Sequence, residues 1–163
     1  MFLNGQSLGR QSRAAAKGQV PYWEVAYQPG ELRVKGYNNG VEVCSNAIRT
    51  VGVAYQLKAV ADKISFKSNA GGLCQVEVYV TDKDGNPVFT AEDDISVTIT
   101  GPAKLLGLES GSNSSHESYQ ANQRKALHGR LLAYIQTSGG PGTVLVRFSS
   151  GSLKSSTIRL DVK

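Results

Sequence analysis

The sequence has few of the residues that build metal centres and redox sites, and it has no long apolar run. Among 163 residues it has two cysteines, two histidines and one tryptophan. No run approaches the roughly 18 consecutive apolar residues of a membrane helix, so no membrane span is predicted. The opening segment, MFLNGQSLGRQSR, lacks the basic start and the apolar stretch of a signal peptide.

The two cysteines do not fit a disulfide. Val43 and Val41 share one face of a predicted strand, so the neighbouring Cys44 should point to the opposite face. Cys74 instead shares the face of Val76, which should be buried. One outward and one inward thiol rarely meet, and the sequence therefore predicts two free cysteines.

The sequence also offers few candidate residues for a catalytic or cofactor-binding site. His116 and His128 are distant from each other, and zinc needs three or more nitrogen or sulfur ligands. No nucleophile-elbow motif accompanies them, which argues against a Ser-His-Asp site. The densest acidic cluster, residues 92–94, is typical of a solvated loop. We predict no catalytic residue and no cofactor.

The charge is positive but scattered. The formal net charge is +5 and the isoelectric point is about 9.3. Basic residues cluster only at Arg10, Arg13 and Lys17 and at the Arg124-Lys125 pair. Nucleic-acid binding requires clustered cations with interleaved aromatic residues. The pattern indicates a mildly basic surface and no nucleic-acid partner.

The composition favours an all-β protein. Glycine, valine, threonine and serine are abundant, and no helical periodicity extends beyond two turns. The central stretch, residues 74–100, holds two alternating runs, one starting at Val76 and one at Ile95, separated by a turn at 84–87. This strand pair should bury one face against a second sheet.

Two units are expected along the chain. About seven short strands over 58–163 predict an immunoglobulin-like β-sandwich. Its first strand covers 57–66, with Ile64 and Phe66 buried, and a loop follows at 68–72. Residues 1–57 predict a smaller, incomplete β-unit of five strands, including one that carries Trp23. The Asn4-Gly5 hairpin begins inside a strand pair, so Met1 is expected to be a truncation start.

A long polar excursion, residues 109–123, is the main candidate site, because long loops tend to be functional. Its amides, acids and tyrosine could bind sugar hydroxyls and rings. Alternatively, Glu117 pairs with Arg124 or Lys125 and the loop packs on a neighbouring domain. Trp23, Val25 and Tyr27 share one face of a predicted strand. This placement favours a core position for Trp23 over a sugar platform. The candidate glycan or interdomain contacts are His116, Glu117, Tyr119, Gln120, Asn122, Arg124 and Trp23.

A weak calcium candidate consists of Asp82, Asp84 and Asn86. The calcium loop of an EF-hand needs a third ligand before its glycine and a glutamate six residues after it. Neither occurs here at that spacing, which favours a plain β-turn.

Several motifs resemble known families. The segment DGNPV at 84–88, ahead of VTITGP, resembles the invasin-like immunoglobulin repeats of bacterial surface proteins. WEVAYQPGELRVKGYNNGVEV at 23–43 resembles the small C-terminal β-domain of glycoside hydrolase family 2, the β-galactosidase family. FLNGQSLGR at 2–10 is similar to the hairpin that begins this region. HESYQANQRKALHGRLLAYIQTS at 116–138 is similar to the segment that follows it, and the motifs keep the same order.

The resemblance implies a non-catalytic C-terminal accessory region of a β-galactosidase-like enzyme. The two catalytic glutamates of that family lie in a TIM barrel, and neither maps onto this chain. The implied partners are that barrel and other β-domains, and the implied location is periplasmic or extracellular. Alternatives are a carbohydrate-binding module and an adhesin-type surface domain. Exposed strand edges could also pair two copies as a homodimer.

Overall fold

The computed structural model describes residues 1–68 and 71–163, and this part of the chain contains strands, turns and loops but no helix. The strands in chain order are β1 (Phe2–Leu3), β2 (Gln6–Ser7), β3 (Glu31–Asn38), β4 (Val41–Arg49), β5 (Gln56–Ala61), β6 (Ser65–Phe66), β7 (Leu73–Thr81), β8 (Asp94–Thr100), β9 (Ala103–Glu109), β10 (Gln123–Lys125), β11 (Arg130–Thr137), β12 (Gly142–Ser150) and β13 (Leu153–Val162).

The chain divides into an N-terminal unit, Met1–Thr50, and a C-terminal unit, Val51–Lys163. The division lies earlier than the one inferred from the sequence, which followed residue 57. The reason is that Val51 and Ala54, which precede β5, already pack against the hydrophobic core of the C-terminal unit.

The C-terminal unit is an immunoglobulin-like sandwich. One layer has the strand order β5-β7-β11-β9, and the other has the order β10-β8-β12-β13, with β6 beside β13. A parallel pairing of Lys154 in β13 with Gln56 in β5 joins the two layers into one hydrogen-bonded order. Neighbouring strands are antiparallel except where β13 pairs with β5 and β6. The first sheet corresponds to strands A, B, E and D of a constant-type immunoglobulin domain.

The inward residues of the two sheets form the core. Val76, Val78 and Val80 are buried on β7, and Ile95 and Val97 are buried on β8, which confirms the predicted phase of both strands. Cys74 is buried on the same face of β7 as the valines. The side chains that meet them include Leu108, Leu131, Ala133, Ile135, Val144, Val146, Phe148, Leu160 and Val162.

The two central runs are not a strand pair, and that prediction was wrong. Strand β7 pairs with β5 and β11, whereas β8 pairs with β12 and β10. Residues 82–93 therefore cross from one sheet to the other. Alternation determines which side chains of a strand are buried, but it does not specify the strand's hydrogen-bonding partner.

The predicted strand over 57–66 is in fact two strands in different layers. Strand β5 ends at Ala61, and Phe66 in β6 pairs with β13 of the other sheet. The chain changes sheets between them, so the alternation does not continue and Ile64 is 73% exposed rather than buried. Phe66 is buried as predicted. The loop predicted at 68–72 includes residues 69 and 70, which lie outside the described part of the chain.

The N-terminal unit is a single sheet of order β2-β1-β3-β4. Its two hairpin turns have positive φ at both central residues, 51° and 82° at Asn4 and Gly5 and 49° and 84° at Asn39 and Gly40. This is the geometry of type I′ turns, which asparagine followed by glycine favours. The predicted Asn4-Gly5 hairpin is thus confirmed, and Asn39-Gly40 forms a second hairpin turn of the same type.

The predicted strand that carries Trp23 is absent, since residues 21–28 form no strand. Trp23 is half-buried and Tyr27 is 78% exposed, so the expected core position of Trp23 is wrong. Residues 1–50, all of which are described, contain one sheet and no opposite layer to cover an apolar face. For the same reason Val43 is exposed on β4, although Cys44 is exposed as predicted.

Candidate functional site

The polar excursion of the sequence is an ordered loop, residues 110–122, between β9 and β10. Its backbone is bonded to the sandwich at two points: Leu108 N–H donates to the Tyr119 carbonyl at 2.7 Å, and Val97 N–H donates to the Asn122 carbonyl at 2.8 Å. Gly107 lies directly beneath, where an added Cβ would be 2.7 Å from the Tyr119 carbonyl oxygen. The loop is therefore packed closely on β9.

Arg124 lies beneath this loop and is fully buried. Its guanidinium carbon is 4.3 Å from the centre of the Tyr119 ring. Nε donates to Ser110 Oγ at 3.3 Å and Nη1 donates to the Glu117 carbonyl at 3.2 Å. Nη2 has no hydrogen-bond partner within the described residues. This burial corrects the expectation that Arg124 contacts a glycan or a second domain, because the loop covers it.

Both carboxylate oxygens of Glu117 also accept hydrogen bonds from nearby residues of the chain. One carboxylate oxygen accepts the Lys125 N–H at 3.0 Å, and the other accepts the Ser115 hydroxyl at 2.8 Å. The Lys125 N–H above all lowers the pKa of Glu117. The expected link between Glu117 and residues 124–125 therefore runs through main-chain groups rather than through an ion pair. Four other predicted contact residues of the loop are exposed: His116, Tyr119, Gln120 and Asn122.

The calcium candidate forms a turn centred on Asp82, which is buried. Asp82 Oδ1 accepts the N–H groups of Asp84 at 3.0 Å and Asn86 at 2.9 Å, and Oδ2 accepts the Gly52 N–H at 3.0 Å. The Gly52 bond is the main reason that the pKa of Asp82 falls to about 2. Within residues 1–68 and 71–163, no three histidine, cysteine or acidic side chains are grouped to hold a metal ion.

Trp23 lines a groove of about 630 Å³ in the N-terminal unit, which we call the Trp23 groove. Three cationic side chains, Arg10, Arg13 and Lys35, and a second aromatic ring, Tyr37, share its lining. The Arg10 guanidinium carbon is 5.1 Å from the centre of the Tyr37 ring. Sequence reasoning noticed the cations at 10 and 13 but placed Trp23 in a core, and so it missed that these residues meet.

Comparison with known families decides the identity of the larger unit. The model described as glycoside hydrolase family 2 C-terminal domain 5 matches residues 57–159, which cover the whole sandwich apart from its ends. The chain belongs to glycoside hydrolase family 2. Within that family it corresponds to a C-terminal β-region, and a model of a domain of unknown function (DUF4982) matches residues 1–44.

Relatives of this family 2 chain are longer proteins. The β-galactosidase BoGH2A of Bacteroides ovatus is 27% identical over all 163 residues, which span 19% of its length. The solved structure of a glycosyl hydrolase family 2 member from Bacteroides cellulosilyticus is 29% identical, with a TM-score of 0.91 over 99% of this chain and 21% of that one. A β-glycosidase from Bacteroides vulgatus, 24% identical with a TM-score of 0.88 over 99% of this chain and 20% of that one, shares the fold. The chain thus spans about a fifth of the proteins it matches.

This family 2 chain contains no catalytic barrel within its described residues, since they form only sheets and loops. The described residues also contain no helix long and apolar enough to cross a membrane.

Proposed function

We propose that this region is a non-catalytic brace for the barrel of a longer, β-galactosidase-like glycoside hydrolase. The observation that carries the proposal is the exposed apolar surface of the N-terminal unit. Val41, Val43 and Ile48 on β4 are 66%, 62% and 67% exposed. A single four-stranded sheet without a second layer buries little apolar surface, so a partner that covers it should add to its stability.

Neighbouring domains of the longer protein are the natural cover for this surface. Large exposed apolar side chains that recur along one strand are typical of a contact surface. The family also suggests what the partner is. The matched relatives are about five times as long as this chain, so their other domains could cover this surface. We therefore assign β4 to the contact with the rest of the enzyme.

The site chemistry supports a non-catalytic role. A retaining glycosidase needs two carboxyl groups about 5 Å apart, one as acid/base and one as nucleophile. Glu117, the acidic residue of the candidate loop, has both oxygens engaged by Lys125 N–H and Ser115. We expect no turnover of a chromogenic β-galactoside by the purified chain. Turnover that disappears in Glu117→Gln would contradict this role.

The brace itself is tested in the longer enzyme. Deletion of residues 1–163 should lower the melting temperature of the remaining protein while kcat at low temperature is retained. A matched variant, Val43→Asp, places a charge on β4 and leaves the residues of the sandwich unchanged, and it should reproduce part of the loss. An unchanged melting temperature in both variants would refute the brace.

A second copy of the chain is the alternative cover for β4, whose outer edge has no partner strand in the described unit. Such a homodimer would pair exposed strand edges. Sedimentation of the purified chain at several concentrations tests it, and a monomer at all of them would leave the longer enzyme as the cover.

A further inference from the structure

We propose that the Trp23 groove binds an acidic saccharide, that is, a chain of sugar rings bearing carboxylate or sulfate groups. The proposal goes beyond the bracing role and does not depend on it, because β4 residues Val41, Val43 and Ile48 do not line this groove. The argument rests on the charge, the rings and the size of the groove.

The charge of the groove is cationic and largely uncompensated. Arg10, Arg13 and Lys35 line it, and no acidic side chain is among its described lining residues. Lys35 is paired with Glu42 at 2.9 Å, but neither Arg10 nor Arg13 forms an ion pair with a described carboxylate. A guanidinium offers a fork of N–H donors that matches a carboxylate or sulfate group in bidentate fashion.

The rings give the groove a flat apolar surface next to these cations. Trp23 is half-buried and Tyr37 is 41% exposed, so both present ring surface to the solvent. The contact between Arg10 and Tyr37 orients the guanidinium over one ring by a cation–π interaction, while its outer N–H groups remain available. A sugar ring has an apolar face and polar edges, and therefore suits an aromatic platform bordered by hydrogen-bond donors.

The size of the groove favours a short oligosaccharide. Its volume of about 630 Å³ lies within the range of small-molecule sites, which is roughly 300–1,000 Å³. A nucleic acid would need a longer basic track with several aromatic residues, whereas three cations, Arg10, Arg13 and Lys35, line this groove. Membership of a glycoside hydrolase family makes a saccharide the ligand class of choice over an acidic peptide.

Intrinsic fluorescence offers a direct test, since Trp23 is the sole tryptophan of the chain. The ligand pair is trigalacturonate and the neutral galactotriose of the same linkage, which differ in their carboxylates. We expect trigalacturonate to change the Trp23 emission saturably at micromolar to millimolar concentration. Galactotriose should bind at least about tenfold more weakly, and added salt should weaken only the acidic ligand.

Variants distinguish specific binding in the Trp23 groove from general attraction of an anion to a basic protein. Arg13→Gln should weaken trigalacturonate binding about tenfold, and Arg13→Lys should recover part of it. Arg147→Gln removes the same charge from an exposed position of the C-terminal unit and should have no effect. Circular dichroism confirms folding, and Arg10→Gln replaces Arg13→Gln if the latter does not fold.

Three outcomes would overturn the proposal. The first is equal affinity for the two sugars, and the second is no emission change with either sugar at millimolar concentration. The third is equal binding of a polyglutamate peptide, which would show a non-selective cationic surface. A loss in Arg147→Gln as large as that in Arg13→Gln would point to the same conclusion.

Discussion

The side chain of Asn4 binds the backbone on both sides of Gly30. Asn4 Nδ2 donates to the Pro29 carbonyl at 3.0 Å, and Asn4 Oδ1 accepts the Glu31 N–H at 2.8 Å. Gly30 has a φ of 132°, and a Cβ built on it would overlap Asn4 Oδ1. The asparagine of the first hairpin thus holds the Pro-Gly-Glu turn that begins β3, which links two separated sequence motifs physically.

Gly30→Ala should destabilise the N-terminal unit strongly, because the added methyl group displaces Asn4 and the backbone conformation is unfavourable for alanine. Gly40→Ala is the matched control, since Gly40 also has positive φ (84°) but open space around its Cβ position. We expect a loss of about 1 kcal/mol for Gly40→Ala and at least twice that for Gly30→Ala. Urea unfolding followed by Trp23 fluorescence measures both, and equal losses would show that the Asn4 contact has no energetic role.

Arg124→Ala should loosen the loop over β9. The change removes the ring contact with Tyr119 and two hydrogen bonds and leaves a void, at an expected cost of about 2–4 kcal/mol. Arg124→Met should cost less, because it fills the space and removes the unpartnered Nη2. Lys125→Ala, at the exposed neighbouring position, should change stability by no more than about 0.5 kcal/mol.

Limited proteolysis reports the loop directly. Arg124→Ala should speed cleavage within residues 110–122 far more than Lys125→Ala does. Equal cleavage of the two variants would mean that Arg124 does not hold the loop in place.

Asp82 should make the C-terminal unit sensitive to acid. Its pKa is about 2 in the folded chain and near its ordinary value of 3.8 when unfolded, so the unfolded state binds more protons between these values. The stabilisation is complete above the unfolded pKa and is lost as pH falls from about 5 towards 2. Asp82→Asn should flatten this dependence.

Asp84→Asn is the control for that change, because the Asp84 side chain is exposed and, among the described residues, bonds only to Lys83. Circular dichroism during urea unfolding at several pH values gives the slope of the unfolding free energy against pH. Trp23 fluorescence separates the N-terminal unit, where the pKa of Glu31 is also lowered to about 2, chiefly by its hydrogen bond with Arg33. An unchanged slope in Asp82→Asn would show that Asp82 is not the source of the acid sensitivity.

The two thiols should differ in reactivity. Burial raises the pKa of Cys74 to about 12, so its reactive thiolate is scarce at neutral pH, whereas Cys44 is exposed. Mass spectrometry after maleimide treatment should show one adduct in the native chain and two in urea. Cys44→Ser should abolish the native adduct, and its persistence would show that the C-terminal unit opens readily.

Local sequence determined a large part of this protein. The period of two in β7 and β8 located both strands and their buried sides. The same alternation around Cys44 and Cys74 predicted that the two thiols would not meet. Asparagine followed by glycine predicted the type I′ turn at Asn4-Gly5, since few residues adopt positive φ at low cost. The order of the motifs pointed to glycoside hydrolase family 2, which the family match over residues 57–159 confirms.

Tertiary structure alone decided the partners of these strands and the surroundings of the site residues. Strands β7 and β8 lie in opposite sheets, Arg124 is buried beneath its own loop, and Trp23 borders a groove with Arg10 and Tyr37. Alternation is a property of neighbouring residues, whereas pairing and burial depend on segments distant in sequence. Trp23 shows the difference: its apolar pattern predicted burial, but the N-terminal unit provides no second layer to bury it.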